Sequence, residues 1–362
     1  MTKARELADL IANVNKGSSL ANKNFIINGA MNVAQRGTST TGLGSANGVY
    51  SLDRFFVTVS GTTAGRATIS QVADVHDGFA NALKLECTTA DTSIAATELF
   101  GLTTRLEGQN LQSISKGSSD AKPVTVSFYV KGNASATYAC EISDRDNSRH
   151  CSKPFSVTTS WNRIELNFPA DTTGAFDDDN AASIDLNFFL HAGTNFTSGT
   201  QNTSAFASTT AANRALATTS FFDSTSRTLF ITGVQMEIGE KATAFEHEPY
   251  ERTINRCLRY LHRIEGKNCR EFAGYNENTT KGLHVFRHPV KMRGTPTIGV
   301  SGTASNYIIA YSNTQTACNS ALVFNTTNAE GVTFYSTVAS GLTAGGASAL
   351  RNIDYIDLIA EL

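Results

Sequence analysis

Short runs of alternating apolar and polar residues recur along most of the chain, about ten residues apart, with polar turns between them. In KPVTVSFYVKGN, Val124, Val126, Phe128 and Val130 share one phase, and WNRIELNFPA and SIDLNFFLHAG alternate again. RATISQVADV and ANALKLECTT read as a strand pair around a turn at His76–Gly78. A period of two makes each segment apolar on one face and polar on the other, as a sheet packed on one side requires. The pattern therefore predicts an all-β fold built from sandwiches. Composition fits: 17% of residues are charged, Thr and Ser are abundant, and β-branched and aromatic residues fill the strand positions.

A chain of 362 residues is long for one core. Residues 1–20 are expected to form a short anchoring helix, with Leu7, Ile11 and Val14 on its apolar face. A helix this short is marginal alone and must dock on something. Residues 21–249 are expected to form a large β-sandwich. Its strand RTLFITGVQMEIG puts Phe230, Thr232, Val234, Met236 and Ile238 on one phase. Residues 194–226 are polar and without period, so they are expected to pack along the domain or a neighbour. After Pro249, Ile254, Cys257, Leu258 and Leu261 recur at helical spacing and predict a linker helix over 250–265. Residues 266–362 carry more strand patterns and predict a second, smaller sandwich, ending on YIDLIAEL as a paired strand.

Six separated segments resemble, in order, a module common in tail fibres and other structural proteins of bacteriophages and prophages. They are NFIINGAMNVAQRGTS, YSLDRFFV, VTVSFYVKGN, SWNRIELNFPADTTG with DDDN, IDLNFFLHAG, and ITGVQMEIG running into AFEHEPY and CLRYL. The resemblance covers about residues 24–263. It implies a jelly roll like the carbohydrate-binding modules of glycan-processing enzymes, and a part of a virion rather than an enzyme. HPVKMRGTPTIGVSG resembles the C-terminal β domain that often follows in these phage proteins.

Chemistry is sparsely marked. GxSxG, HExxH and GxxxxGK[ST] are absent, so no catalytic residue and no cofactor site is nominated. His76, His150, His191, His284 and His288 read as surface or half-buried residues; His247 sits between Glu246 and Glu248. Asp177, Asp178 and Asp179 in FDDDN are the calcium candidate, but consecutive acids lack the alternate spacing of an EF-hand, and a solvated turn competes. The six cysteines show no CxxC spacing, which argues against zinc. A turn centred on DRDN would place Cys140 opposite Cys151, as two thiols or as a bridge. Trp161, Tyr129, Tyr138, Tyr275, Tyr307 and Tyr311 are the aromatic candidates for sugar stacking, with packing as the competing role. Arg252, Arg256, Arg259, His262 and Arg263 form a basic stripe that reads as an interface pairing with acids.

A net charge of −2 argues against a nucleic-acid partner, and no apolar run is long enough to insert in a membrane. The N-terminus lacks a long apolar segment, so assembly in a reducing bacterial cytoplasm is expected. The expectation is a virion tail protein, a fibre or appendage, attached to other virion proteins through its N-terminal helix. Sister chains in a homotrimer and a host-surface glycan or protein are its expected partners. The alternatives are a structural or decoration protein of capsid or tail, and a glycan depolymerase.

Overall fold

The computed structural model describes residues 22–61, 63–216, 218–266, 270–352 and 354–362. The anticipated N-terminal helix with Leu7, Ile11 and Val14 lies outside them, as does Cys269. The described chain is all-β in antiparallel sheets. It divides into two compact units, one running to Thr253 and including Leu362, the other Ile254–Glu361.

In chain order the first unit holds β1 (Ser39–Leu43), β2 (Val49–Tyr50), β3 (Phe56–Ser60), β4 (Arg66–Val72), β5 (Ala82–Thr89), β6 (Leu99–Glu107), β7 (Val124–Gly132), β8 (Ala136–Asp144), β9 (Arg149–Val157), β10 (Asn162–Phe168), β11 (Ala182–Ala192), the helical turn α1 (Thr194–Thr197), β12 (Ala207–Ser208) and β13 (Thr228–Ile238). A six-stranded sheet runs β1-β4-β5-β13-β7-β10, and a seven-stranded sheet runs β12-β9-β8-β11-β6-β3-β2. The expected pair β4–β5 forms, with Ile69 opposite Leu85. The inward phases of the two sheets meet in one core, where Val126, Phe128 and Val130 join Leu102, Ile142 and Phe188. Phe128 stands edge-on to Phe155 and Phe188, with centroids 5.0 and 5.1 Å away. Burying each such ring contributes about 1.5–3 kcal/mol.

Two sequence readings are corrected here. In β13 the apolar phase is not continuous. Leu229 and Ile231 point into the core, and so do Val234 and Met236. A register shift between Thr232 and Gln235, with Gly233 at φ 61°, inserts one residue and flips the phase, so Phe230 and Thr232 face away from Val234 and Met236. A Cβ at Gly233 would lie 2.6 Å from the Phe79 ring. In the β8–β9 hairpin the turn is Arg145–Ser148, with Ser148 at φ 51°, so Ile142 faces Cys151 and Cys140 faces Lys153. Cys140 and Cys151 sit diagonally, buried, as free thiols.

Among the described residues, those before β1 (22–38) form no ladder strand, and side chains hold them instead. The Asn28 amide donates to the carbonyls of Val33 and Asp53 and accepts from Val33 N–H. Asp53 accepts from Gln35 N–H at 2.8 Å. Buried Glu237 accepts from Thr243 N–H, Thr243 Oγ1 and Gln235 Nε2. Glu246 accepts from the Asn22 and Asn24 N–H groups. Gly29 has no room for a side chain, since a Cβ would sit 2.0 Å from the Val234 carbonyl. The residues that carry the phage resemblance therefore act as fasteners of the fold.

The division between units falls within α2 (Tyr250–Leu258). The helix stops well short of 265 because Leu261–Ile264 is the first strand of the second unit. There follow β14 (Leu261–Ile264), β15 (Phe272–Asn276), β16 (Lys281–Arg287), β17 (Thr297–Val300), β18 (Tyr307–Tyr311), β19 (Thr314–Ala317), β20 (Val323–Asn328), β21 (Gly331–Thr337), β22 (Ala347–Asn352) and β23 (Ile356–Ile359). A three-stranded sheet β14-β23-β17 and a seven-stranded sheet β19-β18-β22-β15-β16-β21-β20 enclose a second core around Phe272, Ile309, Phe334, Leu350 and Leu358. The C-terminal strand β23 is paired on both sides, as expected.

Candidate functional site

Most residues that chemistry would single out are structural. His191 is fully buried; its Nε2 lies 3.1 Å from Glu98 and its Nδ1 2.8 Å from Ser220 Oγ. The residue types suggest a relay, but solvent does not reach His191, and Ser220 Oγ already accepts from Phe222 N–H. His284 is buried between Ser336 and Ser348, and burial pushes its pKa down to about 4. Glu246 and Glu248 do not frame His247 as a relay: Glu246 binds backbone N–H groups, and Glu248 pairs with Arg252 at 3.3 Å. Arg263 of the basic stripe forms a two-pronged pair with Asp357 and stacks on Tyr355 at 3.7 Å. Arg263 thus pairs with an acid, but from strand β14 to the adjacent β23 of the same unit and not from a helix face across an interface.

Asp177, Asp178 and Asp179 are exposed. Asp179 Oδ1 closes a turn onto Ala181 N–H at 2.8 Å. The backbone of the turn is held by Gln109 N–H on the Asp179 carbonyl at 2.8 Å and by Asp177 N–H on Asp146 Oδ2 at 3.1 Å; upstream of it, buried Lys116 pairs with Asp144 at 2.6 Å and donates to the Thr173 and Gly174 carbonyls. Among the described residues no three His, Cys, Asp or Glu side chains converge as metal ligands.

The two seven-stranded sheets turn opposite kinds of outer face to their surroundings. In the first unit the outer phase is polar: Thr103, Glu141, His150, Ser152 and Asn187. Yet all five are buried. Residues 194–216 lie over them as a strap. Arg214 grips Glu141 with two nitrogens at 2.9 and 2.6 Å. Asn202 meets His150 at 2.8 Å, and Ser152 Oγ donates to the Arg214 carbonyl at 2.6 Å. Phe196 and Ala215 pack on Leu99, Ala139 and Phe189. Burial opposes the charge on Arg214, but the hydrogen bonds and charge of Glu141 raise its pKa above the ordinary value. Burial also lowers the pKa of His150, opposed by the charge of Glu141 and aided by that of Arg214. The polar loop thus packs along its own domain.

In the second unit the outer phase is open. Ala347, Tyr275, Leu283, Tyr335 and Val323 stand directly opposite one another on β22, β15, β16, β21 and β20, forming one row across five strands. Tyr275 is 46% exposed and Val323 57%. Tyr275 and Tyr335 are two strands apart, about 10 Å. Lys281 lies 3.5 Å from the Tyr335 ring centre and pairs with Glu277 at 3.0 Å. The next row holds Ala349, Ala273, Val285, Thr333 and Thr326. A recess of about 150 Å³ opens at that end of the sheet, lined by Val285, Arg287, Thr326, Asn328, Glu330 and Thr333.

Of the six aromatic candidates, Tyr138 and Tyr307 are core residues. The Tyr311 hydroxyl is bound to the Gly341 carbonyl. Tyr129 stands edge-on to His76 at 4.2 Å, and Trp161 is half-buried beside Phe230. Tyr275 is the one that is exposed. Sequence reasoning passed over Tyr335, Leu283, Arg287 and Glu330. The signal was present as alternation in KGLHVFR and GVTFYST, but the outward phase could be assigned only after the strands were paired.

No family model matches this chain, and no curated protein matches it. Among solved structures it is similar to the enzymatically active domain of tailspike protein 4 of bacteriophage CBA120 (12% identity, TM-score 0.32). That similarity covers 60% of this chain and 22% of the other, so this chain spans about a fifth of the tailspike structure. It is also similar to the family 11 carbohydrate-binding module from Clostridium thermocellum in complex with a β-1,3-1,4-mixed-linked tetrasaccharide (14% identity, TM-score 0.28, 58% of this chain and 98% of that one). TmCBM61 in complex with β-1,4-galactotriose is a third (10% identity, TM-score 0.30, 60% and 100%). At these values the similarities decide nothing about what this chain binds.

Proposed function

We propose that this chain is a tail protein of a phage particle, a fibre or appendage. In this reading it attaches through residues 1–20, assembles with sister chains as a trimer, and contacts a glycan on the host surface. The reading is non-enzymatic. The six motifs in family order support the virion assignment, and their side chains serve as fasteners rather than as a reaction centre. The observation that carries the glycan reading is the open row Tyr275–Leu283–Tyr335 on the second unit. Sugar rings have an apolar face and a rim of hydroxyls, and a flat aromatic row with polar neighbours complements both. Weak single contacts suffice when several copies bind together.

The test is binding of the full chain to an array of neutral and acidic bacterial surface glycans. Binding is expected, with a loss of about tenfold or more for Tyr275→Ala with Tyr335→Ala, since each stacked ring supplies on the order of 1 kcal/mol. No binding anywhere on the array, or unchanged binding by the double variant, overturns the glycan reading and leaves a spacer or decoration protein. For the anchor, removal of residues 1–19 should abolish incorporation into particles while the β units stay folded; normal incorporation contradicts it.

A further inference from the structure

We infer that the recess beside the tyrosine row seats one neutral sugar ring, with Arg287 and Glu330 holding its hydroxyls. The inference rests on the glycan reading above and adds a subsite and a ligand class to it. The recess lies where β20 carries a bulge: its register with β21 shifts between Phe324 and Thr326, and Thr326 lines the recess. A bulge bends the strand and re-aims its side chains. Thr326 N–H donates to Thr333 Oγ1 at 3.2 Å across the shift.

The rim is rigid. Asn328 Oδ1 accepts from Glu330 N–H at 2.8 Å and Gly331 N–H at 3.0 Å. His288 N–H donates to the Glu330 carbonyl at 3.0 Å, and Met292 N–H donates to the Ala329 carbonyl at 2.8 Å. The turn that presents Glu330 is therefore fixed before any ligand arrives, which reduces the ordering needed on binding. Val285, 43% exposed, supplies an apolar patch on the same recess.

The charges select the ligand. Arg287 can only donate hydrogen bonds, and the Glu330 carboxylate can only accept them. Both line one recess, and among the described residues neither forms an ion pair with the other or with a third group. A bare anion would satisfy Arg287 but face Glu330, and an amine would do the reverse. A hydroxyl donates and accepts at once, so two hydroxyls of one ring satisfy both groups while the apolar face of the ring covers Val285. The volume, about 150 Å³, is below the roughly 300–1,000 Å³ of pockets that enclose larger ligands, so the recess takes one ring.

The experiment uses the full chain on the same glycan array, with Arg287→Ala, Glu330→Gln and Tyr275→Ala, each checked for an unchanged melting temperature. The parent is expected to prefer neutral glycans. Arg287→Ala and Glu330→Gln should each weaken that binding about tenfold or more. Glu330→Gln should also move preference toward glycans carrying uronic acids, because it removes the repelling carboxylate. If Tyr275→Ala weakens binding while Arg287→Ala and Glu330→Gln do not, the recess assignment is overturned and the glycan reading stands. A parent that prefers acidic glycans also overturns the recess assignment. A parent that binds no glycan removes both.

Discussion

Each unit has a seven-stranded antiparallel sheet with one face on its own core, and the two differ in what covers the other face. In the first unit residues 194–216 return over the sheet and seal its polar phase. In the second, the connection between β20 and β21 is the two-residue turn Ala329–Glu330, and among the described residues no segment covers Tyr275 or Val323. The polar residues are distributed accordingly. Under the strap, buried Glu141 accepts from Arg214 and from Asn187, and buried His150 meets Asn202 through its Nε2, which fixes the strap in place. On the open sheet the apolar and aromatic residues are outside and the charges sit at the rim. A sheet face chemically suited to ligands is not thereby available to them; availability depends on where the connecting chain goes.

The contrast can be broken most forcefully at Arg214. Arg214→Ala leaves Glu141 buried without its cation and should destabilise the first unit by about 3–5 kcal/mol. It should also open residues 194–216 to proteolysis, read by urea unfolding and limited digestion. A loss of less than about 1 kcal/mol would mean that the strap is not held by this pair.

A smaller effect is expected in the second unit on acidification. His284 has an ordinary pKa of 6.5, lowered to about 4 by burial. Between those values the unfolded chain binds more protons at this position than the folded one. Stability is therefore complete above pH 6.5 and is lost as pH falls toward 4, by at most about 1.4 kcal/mol per pH unit. Urea midpoints at several pH values should show this slope in the parent and not in His284→Asn. A slope retained by the variant would assign it elsewhere. The smallest effect is expected on the open face: Tyr275→Ala should change stability by no more than about 0.5 kcal/mol, because the ring covers little of its own protein.

Much of this was legible in the sequence, for reasons that also explain the gaps. Val124 to Val130 announce a one-sided strand because period two and β propensity agree there. β22 carries little strand signal because GGASALRN is rich in small residues of low β propensity, yet it pairs with both β18 and β15. In β13, Gly233 conceals a bulge that no alternation count can see. The linker helix was drawn too long because Leu261 suits either period, and pairing with β23 decided for strand. The candidate face was hardest to read. Tyr275, Leu283 and Tyr335 are far apart in the sequence and become a row only through the registers of three strands. The strap, by contrast, was visible as a long polar segment, but Arg214 and Glu141 carry no mark of their partnership.

Hydroxyl-radical footprinting of the assembled full-length chain, with and without a glycan it binds, tests the central claim most directly. The expected result is strong labelling of Tyr275, Tyr335 and Val323 in the free protein and protection of the same residues on binding, with His150 and Asn187 silent in both states. Weak labelling of Tyr275 in the free assembly, or protection confined to the first unit, would contradict it.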